Sequence, residues 1–193
     1  MSQANVEFVR KPLQVRDHSH RTLDQRLALR FPRAAGAWFR LVLKLPLRSR
    51  LRQAVLWRVA RLAMEAYNRR DMDAVGIGYH PKFEYHPARN WVEAGLLEPS
   101  YRGLEGHRRY VESTAEVFGS EVYMKPVELV DLGEKFVVLA NVPMRAQASG
   151  IELTEAFALL TTLKDGQVFR VEEYYDHAEA LAAAGFPDVD SAG

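Results

Sequence analysis

The sequence lacks cysteine, long apolar runs and any secretory leader pattern. Its 193 residues include no Cys, which excludes disulfide scaffolds, thiolate-bound zinc, iron–sulfur clusters and thiol nucleophiles. No window reaches the roughly 18 apolar residues that a membrane-spanning helix needs. The first eleven residues do not combine a basic stretch with an apolar run as a signal peptide does. These absences predict a soluble, cytoplasmic protein.

Several catalytic motifs are also missing. The sequence has no Gly-x-Ser-x-Gly elbow, no phosphate-cradling glycine-rich loop and no dinucleotide fingerprint, which excludes serine hydrolases of that type, P-loop enzymes and Rossmann oxidoreductases. His80, Glu84 and His86 are of metal-ligating types. On an extended strand only Glu84 and His86 share a face, and no third ligand is marked. We therefore expect no metal and no cofactor.

The net charge of +1 conceals a strong asymmetry along the chain. The first 61 residues contain 14 Lys or Arg against 3 Asp or Glu, a balance of +11, and the remaining 132 contain 12 against 22, a balance of −10. Because the basic arm is interleaved with Leu, Val, Phe and Trp, it differs from a purely electrostatic tail. We expect it to dock on the acidic body of its own or a sister chain. Peripheral contact of the arm with an anionic membrane surface is the alternative interpretation. We do not expect a nucleic-acid partner.

Hydrophobic periodicity predicts helices followed by strands. Ser49 caps a predicted helix to about residue 70, Asp71 caps a short second one, and a third covers 104–118. A strand at 83–86 precedes a long loop over 87–106. Turn signals separate four further strands over 122–132, 135–146, 152–163 and 167–176, and a last helix over 178–184 ends at Gly185. This order predicts an α+β fold, a curved antiparallel sheet on about three helices with a concave interior.

Several local patterns resemble one superfamily. They are Ala66 to Ala74, His80-Pro81, Tyr101 to Gly106, Lys164 to Val168, and Glu173 to Asp176. In this order they resemble the SnoaL-like (polyketide cyclase-related) branch of the nuclear transport factor 2-like superfamily, over about residues 54–186. The resemblance implies a cone-shaped α+β barrel that commonly forms a homodimer. It divides the chain into a basic amphipathic helical arm (1–50), a SnoaL-like barrel domain (51–187) and a tail (188–193).

The resemblance also locates catalytic positions that have changed. The donor tyrosine and two aspartates of ketosteroid isomerases fall at Ala63, His86 and Ala156, so classical steroid isomerisation is not expected. Asp176 matches the aspartate that ends the last strand in limonene-type epoxide hydrolases and SnoaL-type cyclases. The second hydrolase aspartate would fall near Gln147, an amide, so that water-activating pair is incomplete.

Two residues are the candidate catalytic groups. Asp176 is a general acid or base if it is buried, or else the N-cap of the last helix. His86 is a base or pocket donor, or else a structural hydrogen-bonding residue. The candidate ligand-binding residues are mostly aromatic: Tyr67, Tyr85, Trp91, Tyr110, Phe118, Arg145, Phe157, Tyr174 and Tyr175.

These residues lead to two functional hypotheses. In the first, an apolar pocket binds a small hydrophobic metabolite. Catalysis there is left open, as a cofactor-independent isomerase, cyclase, hydratase or hydrolase. In the alternative, the protein is a non-catalytic module that docks on a partner or a membrane through its basic arm.

Overall fold

A computed structural model describes residues 8–13, 20–118, 123–145 and 152–186. The predicted tail, 188–193, lies outside these ranges. Within them the chain forms seven α-helices: α1 (Leu23–Arg30), α2 (Pro32–Leu43), α3 (Arg50–Asn68), α4 (Met72–Val75), α5 (Arg89–Glu93), α6 (Gly103–Phe118) and α7 (His177–Ala184). Seven strands form one sheet: β1 (Val9–Pro12), β2 (Tyr79–His86), β3 (Tyr101–Arg102), β4 (Lys125–Asp131), β5 (Lys135–Arg145), β6 (Glu152–Lys164) and β7 (Gln167–Tyr174). The predicted α+β class is confirmed.

The sheet has the order β1-β4-β5-β6-β7-β2-β3. Strands β4 to β7 form the predicted antiparallel meander. The prediction of an all-antiparallel sheet is wrong in one place, because β2 pairs with β7 in parallel. The barrel that the resemblance implies is not closed: in the described ranges β1 and β3 are the two edges, and they do not pair with each other. The result is a mixed, open, curved sheet.

Local capping sets the helix boundaries where the sequence predicts them. The Ser49 hydroxyl accepts from the Arg52 amide at the start of α3, and the Asp71 carboxylate accepts from the Ala74 amide at the start of α4. Gly185 ends α7 at a φ of 89°, a left-handed conformation that glycine adopts without strain. The segment 87–106 differs from the predicted loop, because α5, β3 and the start of α6 are too short to produce a periodic signal.

The core has two parts, one on each face of the sheet. The larger part packs α3 and α6 on the inner face, and its fully buried members include Phe83, Tyr85, Tyr101, Met124 and Leu129. The smaller part packs α7 on the outer face, around Val137, Ala158 and Ala180. Tyr174 lies against this outer part. The two faces of β7 therefore belong to different environments.

The N-terminal arm is built onto the body. Strand β1 pairs with β4, from Val9 opposite Asp131 to Pro12 opposite Glu128. In α1 the buried Gln25 side chain donates to the Leu62 carbonyl at 2.9 Å. In α2, Val42 is buried and Phe39 packs against the inner core. The described arm thus contributes a strand as well as the predicted helices.

A buried ion pair joins the end of the arm to the sheet. Arg52, 2% exposed, meets Asp131, 0% exposed. Its Nε and Nη2 each donate to a carboxylate oxygen at 2.9 Å. The same guanidinium donates to the carbonyls of Leu43 and Gly133. One side chain therefore holds the last turn of α2, the start of α3 and the β4–β5 turn together.

None of the helices in the described ranges has the length and apolar character needed to cross a membrane.

Candidate functional site

A small cavity lies on the inner face of the sheet. Its walls combine aromatic rings and aliphatic groups with a single carboxyl group: Tyr67, Trp91, Leu97, Tyr110, Thr114, Met124, Val142, Phe157, Glu173 and Tyr175. The cavity volume is about 20 Å³, which is room for roughly one water molecule. Among its described lining residues, the structure thus shows a compact, largely aromatic chamber with one carboxyl group.

Glu173 is the chemical centre of this chamber. Side chains alternate across a strand, so Val171 and Glu173 on β7 both point to the inner face, and Glu173 is only 5% exposed. The hydroxyls of Tyr85 and Tyr110 both donate to its Oε1, and the Ala88 amide donates to its Oε2 at 3.2 Å. In the described part of the chain no Lys or Arg pairs with this carboxyl group.

Burial raises the pKa of Glu173 above its ordinary value. The hydrogen bonds from Tyr110, Tyr85 and the Ala88 amide favour the carboxylate and act in the opposite direction, but burial outweighs them. A raised pKa makes a buried carboxylate a stronger proton acceptor than an exposed one. This is the property that a general base requires.

The tyrosines of the chamber stay neutral. Burial raises the pKa of Tyr67, Tyr85, Tyr110 and Tyr175, and the nearby Glu173 charge raises each further. Neutral phenols are hydrogen-bond donors. Tyr85 and Tyr110 use that capacity to hold the Glu173 carboxyl group.

His107 on α6 lies behind Tyr85. Its ring stacks on the Tyr85 ring with centroids 4.4 Å apart, and its Nδ1 is 2.6 Å from the Tyr79 hydroxyl. The side chain is 3% exposed, and burial lowers its pKa to about 3. Its Nε2 has no hydrogen-bond partner among the described residues. His107 is therefore a neutral aromatic support for Tyr85.

The structure brings together most of the predicted ligand-binding residues. Tyr67, Trp91, Tyr110, Phe157 and Tyr175 line the cavity, and Tyr85 reaches it through its bond to Glu173. Tyr174 lies on the outer face instead, because it neighbours Glu173 on the same strand. The side chains of Phe118 and Arg145 lie outside the described residues.

The two predicted catalytic residues lie elsewhere. Asp176 is exposed, and its carboxylate accepts from the Glu179 amide at 2.8 Å, which makes it the N-cap of α7. His86 lies next to the inward-facing Tyr85, so its side chain points outward. There its Nε2 is 3.2 Å from the Glu84 carboxylate. Neither residue lines the cavity, and the structure does not bring them together.

The predicted site residues did not include Glu173 and His107, nor Leu97, Thr114, Met124 and Val142 of the cavity lining. Glu173 and His107 are the titratable groups among them. Glu172 and Glu173 are adjacent, so a one-residue error in register exchanges the acid that faces the interior. Val171, on the same face as Glu173, was the available signal. His107 precedes Tyr110 by three positions and Val111 by four, which places all three on one side of α6. That periodicity could have marked it as buried.

The raised pKa of Glu173 predicts a pH-dependent gain of stability in Glu173→Gln. From its ordinary pKa of 4.5 upward, the unfolded chain releases the Glu173 proton while the folded chain retains it. Wild-type stability therefore falls with rising pH until the folded pKa is passed. The Gln amide keeps the shape of the side chain and stays neutral. The free energy of unfolding of the variant therefore rises relative to that of wild type, by about 1.4 kcal/mol per unit of pKa shift.

Urea unfolding of both proteins at about pH 4, 6 and 8 measures this difference. Glu172→Gln, at the half-buried neighbour on the outer face, is the matched control. A stability difference between Glu173→Gln and wild type that does not grow with pH would contradict the raised pKa.

Comparisons with known proteins agree with this architecture. A family model described as SnoaL-like domain matches residues 59–171. The crystal structure of TerC co-crystallised with polyporic acid is 21% identical, covers 67% of this chain and 95% of its own, and superposes with a TM-score of 0.54. An NTF2-like protein of unknown function from Burkholderia pseudomallei is 22% identical, covers 65% of this chain and 93% of its own, and has a TM-score of 0.53. These two likenesses show the fold.

No curated protein matches the sequence. The family match covers more than half of the chain, and the structural neighbours have the same α+β architecture. The expected resemblance is thereby confirmed. This chain belongs to the family of SnoaL-like domains.

Proposed function

We propose that this protein binds a small, mainly apolar molecule in the inner cavity and exchanges a proton with it through Glu173. The observation that carries the proposal is a carboxyl group in the cavity wall, 5% exposed, with a raised pKa and only neutral donors around it. Burying such a group without a cation costs stability, and groups of this kind concentrate at functional sites.

Each residue has a distinct part in this proposal. Glu173 transfers the proton, because it carries the one carboxyl group among the described residues that line the cavity. Tyr85 and Tyr110 orient its carboxyl group through the bonds to Oε1. His107 is a positioning residue, since it supports Tyr85 by stacking. This division replaces Asp176, which is occupied in capping α7, as the proposed acid.

The reaction class follows from these groups. A lone carboxyl group with neutral hydroxyl donors supports removal of a proton from carbon next to a carbonyl and its return to another atom of the same molecule. Such a step needs no net oxidant or reductant. It fits cofactor-independent isomerisation or cyclisation, with aromatic walls that suit a flat ligand. In a hydration, water is the co-reactant: its oxygen adds to one carbon of a double bond, Glu173 delivers a proton to the other carbon, and the added water returns a proton to Glu173.

Ligand binding requires the chamber to widen. Its 20 Å³ volume holds about one water, so side chains must move when a larger molecule binds. Trp91 is on α5, a helix of only five residues, and its ring meets the Tyr175 ring edge-on at 5.9 Å. We place the access route at α5, because a short helix between two loops has few contacts to lose.

The test measures proton exchange directly. Aromatic and polycyclic ketones, together with polyporic acid because TerC was co-crystallised with it, form the probe panel. Binding is measured by calorimetry. Exchange of the ketone α-protons with D2O is followed by NMR. We expect wild type to accelerate exchange of at least one bound ketone and Glu173→Gln to lose about 100-fold or more of that rate.

Glu172→Gln is the matched control, since it removes the neighbouring acid from the outer face and should keep the full rate. Binding without exchange would reduce the proposal to a binding protein. If none of the probes binds, or if both Gln variants exchange at the wild-type rate, Glu173 is not the proton-transfer group.

The homodimer that the family resemblance implies also belongs to this proposal. We propose that two copies associate through the sheet, as the resemblance suggests. Sedimentation velocity at micromolar concentration measures the mass, and a monomer of 22.0 kDa at all concentrations would exclude the dimer.

A further inference from the structure

The two arm helices leave large apolar side chains in contact with solvent. Five of them fall within 19 consecutive residues: Leu23 (70% exposed), Leu27 (50%), Phe31 (54%), Trp38 (52%) and Leu41 (64%). Single exposed apolar residues are ordinary, but concentrations of them mark surfaces that contact a partner or a membrane. The arm is therefore the part of the described surface that is most suited to contact a partner or a membrane.

Helix α2 has two apolar sides, and one of them packs against the body of the protein. Phe39 and Val42 pack inward on the core. Ala34, Trp38 and Leu41 recur at four- and three-residue spacing, which places them on a common strip of the helix, and all three are exposed. Docking of α2 onto the body does not account for this second strip.

The same surface is strongly basic. Residues 20–50 contain eight Lys or Arg and one Asp. Six of the cations are exposed and form no ion pair with a described residue: Arg26, Arg30, Arg33, Arg40, Lys44 and Arg50. Arg33 and Lys44 are eleven residues apart, three turns of helix, and so lie on one strip beside Leu41. Exposed apolar groups and unpaired cations thus share the arm.

The charges of the body argue against a second copy as the occupant. Several of its acids already have arginine partners in their own chain. Glu84 meets Arg102 and Arg170, and Asp73 meets Arg108. An anionic lipid bilayer offers negative charge to the cations of the arm and an apolar layer to its exposed apolar side chains. Basic helices with Trp, Phe and Leu exposed beside the cations are typical of interfacial binding.

We propose that the exposed face of α1 and α2 docks this protein on the surface of an anionic lipid bilayer. The face is preformed, because Arg21 grips Asp71 through two hydrogen bonds of 2.7 Å and Gln25 anchors α1 to Leu62. Docking therefore requires little new ordering of the chain, which limits its entropic cost. This inference is independent of the chemistry in the inner cavity.

Co-sedimentation of the full chain with vesicles tests the proposal. Vesicles of phosphatidylcholine alone are compared with vesicles that contain about 30% phosphatidylserine. We expect binding to the anionic vesicles only, weakening as salt rises because surface charges are screened. Trp38→Ser/Leu41→Ser should weaken it about tenfold or more, since both side chains would enter the interface.

Two control variants match the arm variants. Leu96→Ser/Val127→Ser changes apolar side chains of similar exposure, 44% and 47%, outside the arm, and should bind as wild type. The second arm variant is Arg33→Gln/Lys44→Gln, which should weaken binding about tenfold or more. Its control is Lys82→Gln/Lys125→Gln, which removes two exposed cations of the body and should have little effect.

Three outcomes would overturn the proposal. The first is no binding to anionic vesicles at low salt. The second is equal loss of binding in the arm variants and their controls. The third is a Trp38→Ser/Leu41→Ser variant that changes the sedimentation mass from dimer to monomer without affecting vesicle binding, since the face would then be a contact between copies.

Discussion

Arg52→Met is expected to lower the free energy of unfolding by about 3–5 kcal/mol. The substitution removes the cation while the Asp131 carboxylate, 0% exposed, stays in the interior. A buried charge without its partner is among the most destabilising changes known. The Leu43 and Gly133 carbonyls lose a charged donor in the same step. The effect should therefore be large although Met fills much of the space.

Urea unfolding at neutral pH measures this loss. Arg50→Met, two residues earlier and exposed, is the control and should change stability by no more than about 0.5 kcal/mol. Arg52→Met/Asp131→Leu should recover part of the loss, because it leaves no uncompensated charge. An Arg52→Met variant within about 1 kcal/mol of wild type would show that this pair does not hold the arm to the sheet.

His107→Gln is expected to lose less stability than wild type does as the pH falls. Burial lowers the pKa of His107 from its ordinary 6.5 to about 3. Between these pH values His107 binds a proton in the unfolded chain and stays neutral in the folded chain. The stability of wild type therefore falls as the pH falls, by about 1.4 kcal/mol per unit, or roughly 4 kcal/mol over three units below 6.5. Gln does not titrate in this range, so the variant lacks this dependence of stability on pH.

Thermal or urea unfolding from about pH 7 to 4.5 tests the slope. At pH 7 His107→Gln loses stability, since the stacking on Tyr85 is lost, and the informative quantity is how the difference from wild type narrows with acid. His20→Gln changes an exposed histidine and should keep the wild-type slope. Parallel curves for His107→Gln and wild type would mean that His107 is protonated in the fold.

The helix boundaries could be read from the sequence because capping is local. Ser49, Asp71 and Asp176 each precede a helix and satisfy amides within three residues. Gly185 ends the last helix for an equally local reason. The meander followed in the same way from short turn signals between strand-like runs, of which Asp165-Gly166 was the clearest. Each of these features depends on neighbours a few residues away.

The pairing of distant strands could not be read from the sequence. The parallel contact of β2 with β7 joins segments about 86 residues apart, as in Glu84 opposite Arg170. The addition of β1 to β4 joins segments more than a hundred residues apart. Backbone hydrogen bonds carry no residue-specific label, so such pairings depend on how the whole sheet curves. The open edges of the sheet are a product of that packing.

The sequence by itself determined the family, the capped helices, the cavity aromatics and the basic arm, since composition, spacing and short motifs carry these properties. Only the tertiary structure decided which acid is buried. Glu173 faces Tyr85 and Tyr110 on the inner face, whereas Asp176, three residues later, caps a helix in solvent. The difference is a matter of strand register and burial. Both are settled when sheet and helices pack together.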